Sequence, residues 1–436
     1  MKPRYQAFLL PALVLLSAGA VLVGTILHSG PESGKTSGED SAEKVEKAEK
    51  SKSGKSGPIT DRPLAAFQKD LLDLAFKSST AIPVNPHIKD RSRAQEAVVT
   101  ACLELGQPVR ARGYIEQIDN WRRGSGYADL ACYCARQGDT TEVQKYLKLA
   151  EQNASTRFGE GNFQAWRRDR IRIKIARTHA LLGQTQLADR FEKDVVDSES
   201  GKIDAVKADL SDADAFEEQV KSLDRVFASK NFDRIRNAMD TCAQLFNRFF
   251  KDEKRRSLME ERVRTAYEKL PGIIRIRKMM ELAGFALDHG DASKAMELIE
   301  ETQRIVDGFK WSAVDYIPVA ARMAGLRYRA GDRVSARKAA DAALAMFDEN
   351  REKIQNFLRA RALCPLAAAY QSMGETAVAL EVYRRAVKEG AINPNARPRA
   401  EDLSATCCSM ALHGVTPDAE LSARMDRIFN ELDNPW

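Results

Sequence analysis

Ala362-Leu-Cys-Pro-Leu-Ala-Ala-Ala-Tyr-Gln-Ser-Met-Gly-Glu-Thr-Ala-Val-Ala-Leu-Glu-Val-Tyr-Arg-Arg-Ala386 is two short helices joined at Gly374. Before the glycine, Leu363, Leu366, Ala367 and Tyr370 recur at helical spacing, and after it Ala379, Val382, Tyr383 and Ala386 do the same. Ala367 and Ala379 are small where two helix backbones must approach. Two amphipathic helices of this size cannot bury their apolar faces alone, so the unit requires stacked copies of itself.

The chain supplies them. Around Gly331 the close-packing pair is Ala324 and Ala336, followed by Ala340 and Ala343; around Gly290 it is Ala283 and Ala295. Gly183 gives Ala176 and Ala188, Gly138 gives Ala131 and Val143, Gly106 gives Val99 and Ala111, and Gly414 gives Cys407 and Ala419. A degenerate copy turns at Lys230, with Leu223, Ile235, Met239 and Cys242. The last three glycine intervals, from 290 to 331, 374 and 414, are 41, 43 and 40 residues, which marks a repeat period.

This set resembles the tetratricopeptide repeat, best at Ala367, Tyr370, Gly374, Ala379, Tyr383, Ala386 and Pro394. The period exceeds that family's usual value of about 34 residues. The large aromatic residue of its first helix is mostly missing. The resemblance implies an all-α solenoid whose first helices line a groove that binds extended or helical protein segments. The family's groove positions lie thirteen, ten, six, three and two residues before each glycine, and Gly284, Gly325 and Ala368 would make a smooth floor. Arg277, Tyr328, Arg329, Arg361 and Gln371 would rim it, and they form the candidate partner-binding site. The asparagine of carboxylate-clamp members is absent at the floor position, so capture of a terminal carboxylate is not expected.

Six segments follow. Residues 1–6 form a basic cytoplasmic end, and residues 7–27 an apolar run of 21. At about 1.5 Å per residue this run spans a bilayer. Lys2 and Arg4 precede it and only Lys35 follows closely, which places the large domain on the non-cytoplasmic side, the periplasm in a bacterium. A cleaved signal peptide ending near Ala20 is the competing reading. Residues 28–63 are a Ser/Gly/Lys/Glu-rich tether expected to be disordered, its seven basic and seven acidic residues cancelling. Residues 64–199 hold N-terminal repeats, 200–271 an irregular or degenerate helical region, and 272–436 the C-terminal repeats.

Other chemistry finds little footing. Gly30-Pro-Glu-Ser-Gly-Lys-Thr36 mimics a phosphate loop, but Ser29 occupies the position where the motif needs glycine and no strand precedes it. Cys102, Cys134 and Cys407 fall on packed positions, and the odd total of seven cysteines opposes a complete disulfide framework. Five scattered histidines suggest no metal cluster. A net charge of +6, two units of it before the apolar run, is too small to imply nucleic acid. The expectation is a non-enzymatic, membrane-tethered scaffold for a protein or peptide partner, with no catalytic residue, metal or cofactor. The alternatives are an enzyme with an unrecognised site, or a carbohydrate- or nucleic-acid-binding module.

Overall fold

The computed structural model describes residues 59–156, 165–266 and 270–436, with no strand among them. The apolar run 7–27 lies outside the described residues, and no helix within them is long and apolar enough to cross a membrane. The end of the expected tether departs from expectation. Ile59 packs against the core, the Arg62 N–H donates to Gly106 O at 2.9 Å, and the Val109 N–H donates to Asp61 Oδ1 at 2.7 Å. One apolar side chain and two polar anchors suffice to dock these residues, so a tether ending at Pro63 is too long.

Helix α1 (Ala66–Ala81) precedes the pairs. These begin with α2 (Val84–Glu104) and α3 (Pro108–Ile115), α4 (Arg122–Arg136) and α5 (Thr140–Ser155), then α6 (Ala165–Leu181) and α7 (Thr185–Glu192). A short α8 (Asp204–Asp209) and α9 (Ala215–Ala228) come next, then α10 (Phe232–Arg248) with α11 (Glu253–Thr265). The regular pairs resume with α12 (Gly272–Asp288) and α13 (Ala292–Asp307), α14 (Ala313–Arg329) and α15 (Arg333–Asn350). The last two are α16 (Asn356–Ser372) with α17 (Thr376–Ala391), and α18 (Ala396–His413) with α19 (Ala419–Asn430).

The turn chemistry that sets these pairs is local. All seven frame glycines have φ between 66° and 94°, a left-handed conformation that ends the first helix cheaply only for glycine. In several turns the next residue is an aspartate whose carboxylate caps the second helix. Asp139, Asp291 and Asp332 accept from the N–H groups of Glu142, Lys294 and Ser335 at 3.2, 2.8 and 3.1 Å. The close-packing residues behave as read, since Ala324, Ala336, Ala367, Ala379, Ala283 and Ala295 are fully buried. Replacing Ala367 by leucine is expected to lower stability by about 1–3 kcal/mol through overpacking. The same change at exposed Lys353 should do little; equal shifts of the two denaturation midpoints would show the frame to be misplaced.

Two features depart from a simple open solenoid. The degenerate region does turn at Lys230, but α10 also packs between α8 and α12 and pairs with α11. It is therefore the first helix of a further pair, turning at Lys251 with Asp252 as its cap. Here, the seam toward α6 adds polar contacts to a small apolar core of Ala176, Ala180, Ile203 and Val206. Buried Asn237 donates to Ser200 O at 2.8 Å, buried Glu199 pairs with Lys202 at 2.7 Å and Arg170 at 3.5 Å, and buried Asp169 accepts from the Val196 N–H at 3.1 Å.

The second feature is closure. Helix α1 packs on α18, and α2 touches α18 as well. Leu71, Leu72, Ala75 and Phe76 share one core with Leu403, Cys407, Met410 and Ala411. Gln68 Nε2 donates to Ala411 O at 2.8 Å, and Arg397 pairs with Asp90 at 2.8 Å. The first helices thus follow one another in a cycle: α2, α4, α6, α8, α10, α12, α14, α16, α18 and back. The solenoid is a closed ring.

Candidate partner-binding surface

Along α12, α14 and α16, the positions thirteen, nine, six and two before the turn glycine are exposed or half-buried. They are Arg277, Glu281, Gly284 and Asp288; Pro318, Arg322, Gly325 and Arg329; and Arg361, Pro365, Ala368 and Ser372. The spacings of four, three and four make one straight helical stripe. The sequence frame had chosen the position ten before the glycine instead. On α12 and α14 that position is Met280 and Ala321, both buried, because it turns into the seam with the neighbouring helix. Arg322 and Glu281 were therefore missed, and the plain periodicity of the stripe would have found them.

The floor is open. A methyl group built at Gly284 meets nothing within 4 Å, and one at Gly325 meets only Ser372 Oγ at 3.6 Å. Neighbouring helices do not close over these glycines, and a second chain has room to approach there.

Among the described residues, ion pairs join the first helices across six of the nine seams. Glu96 of α2 pairs with Arg122 of α4, and Asp129 of α4 with Lys174 of α6 at 2.5 Å. Asp240 of α10 pairs with Lys278 of α12, Asp288 of α12 with Arg329 of α14 at 2.6 Å, and Arg361 of α16 with Glu401 of α18 at 2.7 Å. Burial pushes the Glu96 carboxyl up, but Lys174 and Arg122 outweigh it and hold it below its ordinary value. These pairs are partly shielded from water, so they fix the register between helices more than they add net stability.

The structure does not gather the predicted site residues into one cluster. Arg329 and Arg361 are engaged in seam pairs, and Arg361 also reaches Asp402 at 3.4 Å. Tyr328 is half-buried with the Arg333 guanidinium 5.5 Å over its ring, and Gln371 is half-buried with its Oε1 shielded and unpartnered. Arg277 is exposed and makes no ion pair or hydrogen bond among the described residues.

Behind Arg361, Asp402 is buried with its Oδ2 unpartnered, and burial pushes its carboxyl up to about 7 against the pull of Arg361. In the unfolded chain this carboxyl ionises near pH 4. Folding therefore takes up a proton between these values. Stability from this group grows as pH falls from about 7 toward 4, and above 7 the buried carboxylate is a cost. Asp402→Asn is expected to raise stability by about 1–3 kcal/mol at pH 8 and by far less at pH 5. Equal shifts in thermal denaturation at the two pH values would rule this out.

Among the described residues, no group of three or more His, Cys, Asp or Glu side chains is placed to hold a metal. The seven cysteines are unpaired, and burial pushes the Cys364 and Cys408 thiols up to about 12, far from a nucleophilic thiolate. A recess of about 550 Å³ lies beside the turn glycine Gly290, lined by Phe250, Lys251, Arg256 and His289. There, His289 stacks on Phe250 at 4.4 Å and its Nε2 is engaged by Asn247.

No protein-family model matches the chain, and no curated protein matches it. Among solved structures it is similar to a "circular tandem repeat protein with novel repeat topology and enhanced subunit contact surfaces". The identity is 14%, over 84% of this chain and 94% of that one, with a TM-score of 0.23; a likeness this low carries no weight for function.

Proposed function

We propose that this protein is a non-enzymatic interaction scaffold of tetratricopeptide type. In this reading residues 7–27 anchor it in a membrane, residues 28–58 tether it, and the ring stands on the non-cytoplasmic side. Its ligand is an extended or helical segment of a partner protein held along the inner stripe of α12, α14 and α16. The observation that supports this most is the open floor at Gly284 and Gly325, bordered by exposed polar side chains. A closed ring gives such a segment a bounded space. Nine first helices about 9 Å apart make a circle of axes about 13 Å in radius. Subtracting a helix radius of about 5–6 Å leaves a bore about 15 Å wide, enough for one helix of about 10–12 Å.

The test is photo-cross-linking in the native membrane, with a photoreactive amino acid at Gly325 on the inner stripe or at Val334, which is 81% exposed outside it. A discrete protein adduct from position 325 and none from 334 is the expected result. Adducts from 334 alone, or none from 325, would overturn the binding reading. The anchor is tested separately: the full chain should stay in the pellet after a carbonate wash, and a soluble form beginning after Ala20 would refute it.

A further inference from the structure

The inner wall spends most of its cations on seam pairs. Lys174, Lys278, Arg329 and Arg361 each reach a carboxylate of the neighbouring first helix. Arg277 on α12 and Arg322 on α14 do not. Both are exposed, and neither makes an ion pair or hydrogen bond among the described residues. They stand on adjacent, directly packed helices, at the thirteenth and ninth positions of the same stripe, on the side of the open floor at Gly284. The carboxylate between them, Glu281, is already taken by Lys278 at 2.6 Å.

We infer that Arg277 and Arg322 together capture an acidic side chain, glutamate or aspartate, of the protein segment that the ring holds. This rests on the inner stripe being the binding surface and names the chemistry of its occupant. Two guanidinium groups present parallel N–H donors that match a carboxylate, and such charge-assisted bonds are among the strong ones. The protein crowding around Arg322 lowers its guanidinium from the ordinary value; the pull of Glu281, itself shared with Lys278, does not offset this, and Arg277 adds to it, so an arriving carboxylate relieves an existing cost. The local charge argues for isolated carboxylates and against a polyanion. Arg277, Lys278, Arg322 and Arg329 face Asp240, Glu281 and Asp288, four cations against three carboxylates. A nucleic-acid backbone needs a continuous basic track, which this wall does not offer.

The experiment uses the full-length protein in detergent and fluorescence anisotropy with three labelled probes. These are an alanine-rich helical peptide carrying glutamates at four-residue spacing, its glutamine counterpart, and single-stranded oligothymidylate. The glutamate peptide is expected to bind about tenfold or more tightly than the glutamine peptide. The variant Arg277→Gln/Arg322→Gln should erase that preference, Arg277→Lys/Arg322→Lys should keep part of it, and Lys353→Gln/Lys388→Gln should keep all of it. No preference for glutamate, a preference unmoved by the glutamine variant, or tighter binding of oligothymidylate would overturn the inference. So would a preference that emerges only once the chain's own residues 28–58, with their glutamates, are deleted. The cross-link from Gly325 separates the two claims. Adducts that persist while the arginine variant has no effect remove this inference alone, whereas loss of the adducts removes the binding surface itself.

Discussion

Leu72→Ala should lower stability by about 2–5 kcal/mol, the range for deleting a buried leucine side chain. Leu72 of α1 is fully buried, in a core that also holds Cys407 and Met410 of α18 from the far end of the chain. The loss should carry a spatial signature that an ordinary core mutation lacks. Hydrogen exchange should accelerate in α18, more than 320 residues away in sequence, as well as in α1. Leu187→Ala, at a side chain 39% exposed on α7, is the control and should cost well under 1 kcal/mol. Fast exchange confined to α1 would mean that the ring does not depend on this joint.

Removing the carboxylate of Glu389 should cost about 3–5 kcal/mol. Glu389 and Arg359 are both buried, 3.4 Å apart; Arg351 Nε lies 2.7 Å from the other carboxylate oxygen, and Arg359 Nε donates to Ile354 O at 2.9 Å. Glu389→Ala strands the Arg359 cation among α16 and α17, with exposed Glu352 at 3.5 Å the one carboxylate left to it among the described residues. The paired change Glu389→Leu/Arg359→Met should restore most of the loss, because it removes both charges and refills the volume. Denaturant midpoints of the three proteins decide it: no recovery in the double variant would show that shape rather than stranded charge sets the cost.

The repeat itself was legible because its determinants are local. A glycine at positive φ, an aspartate cap beside it and a pair of alanines at the crossing are all short-range requirements, and each leaves a residue type at a fixed offset. The region of α8 to α11 was not, because its joint to α6 has only a small apolar core and relies also on buried Asp169, Glu199 and Asn237, which in sequence resemble solvent-facing residues. Closure of the ring was not legible either. It depends on α1 and α18 matching in shape across the whole chain, and nothing local distinguishes a helix that caps a solenoid from one that completes it. The inner wall was half read. Arg277, Arg329 and Arg361 sit on the stripe, but a borrowed offset chose Tyr328 and Gln371 and passed over Arg322. Which of the arginines are already neutralised depends on partners some forty residues away, such as Glu401 for Arg361, and spacing within one unit cannot show that.

On the proposed reading, closure also changes how a partner is let in and let go. An open superhelix stretches like a spring and admits the middle of a long chain from the side. A ring has a fixed bore and no side gate, so a flexible tail passes through by its free end, whereas a segment flanked by folded domains must wait for a joint to part. The joint between α6 and α8, whose apolar core is the smallest in the ring and which Asp169, Glu199 and Asn237 stitch with polar contacts, is the natural place for that parting. Association of such a looped-in segment would then be limited by a unimolecular step and saturate with concentration, and the same barrier would give the complex a long lifetime without any gain in contact strength.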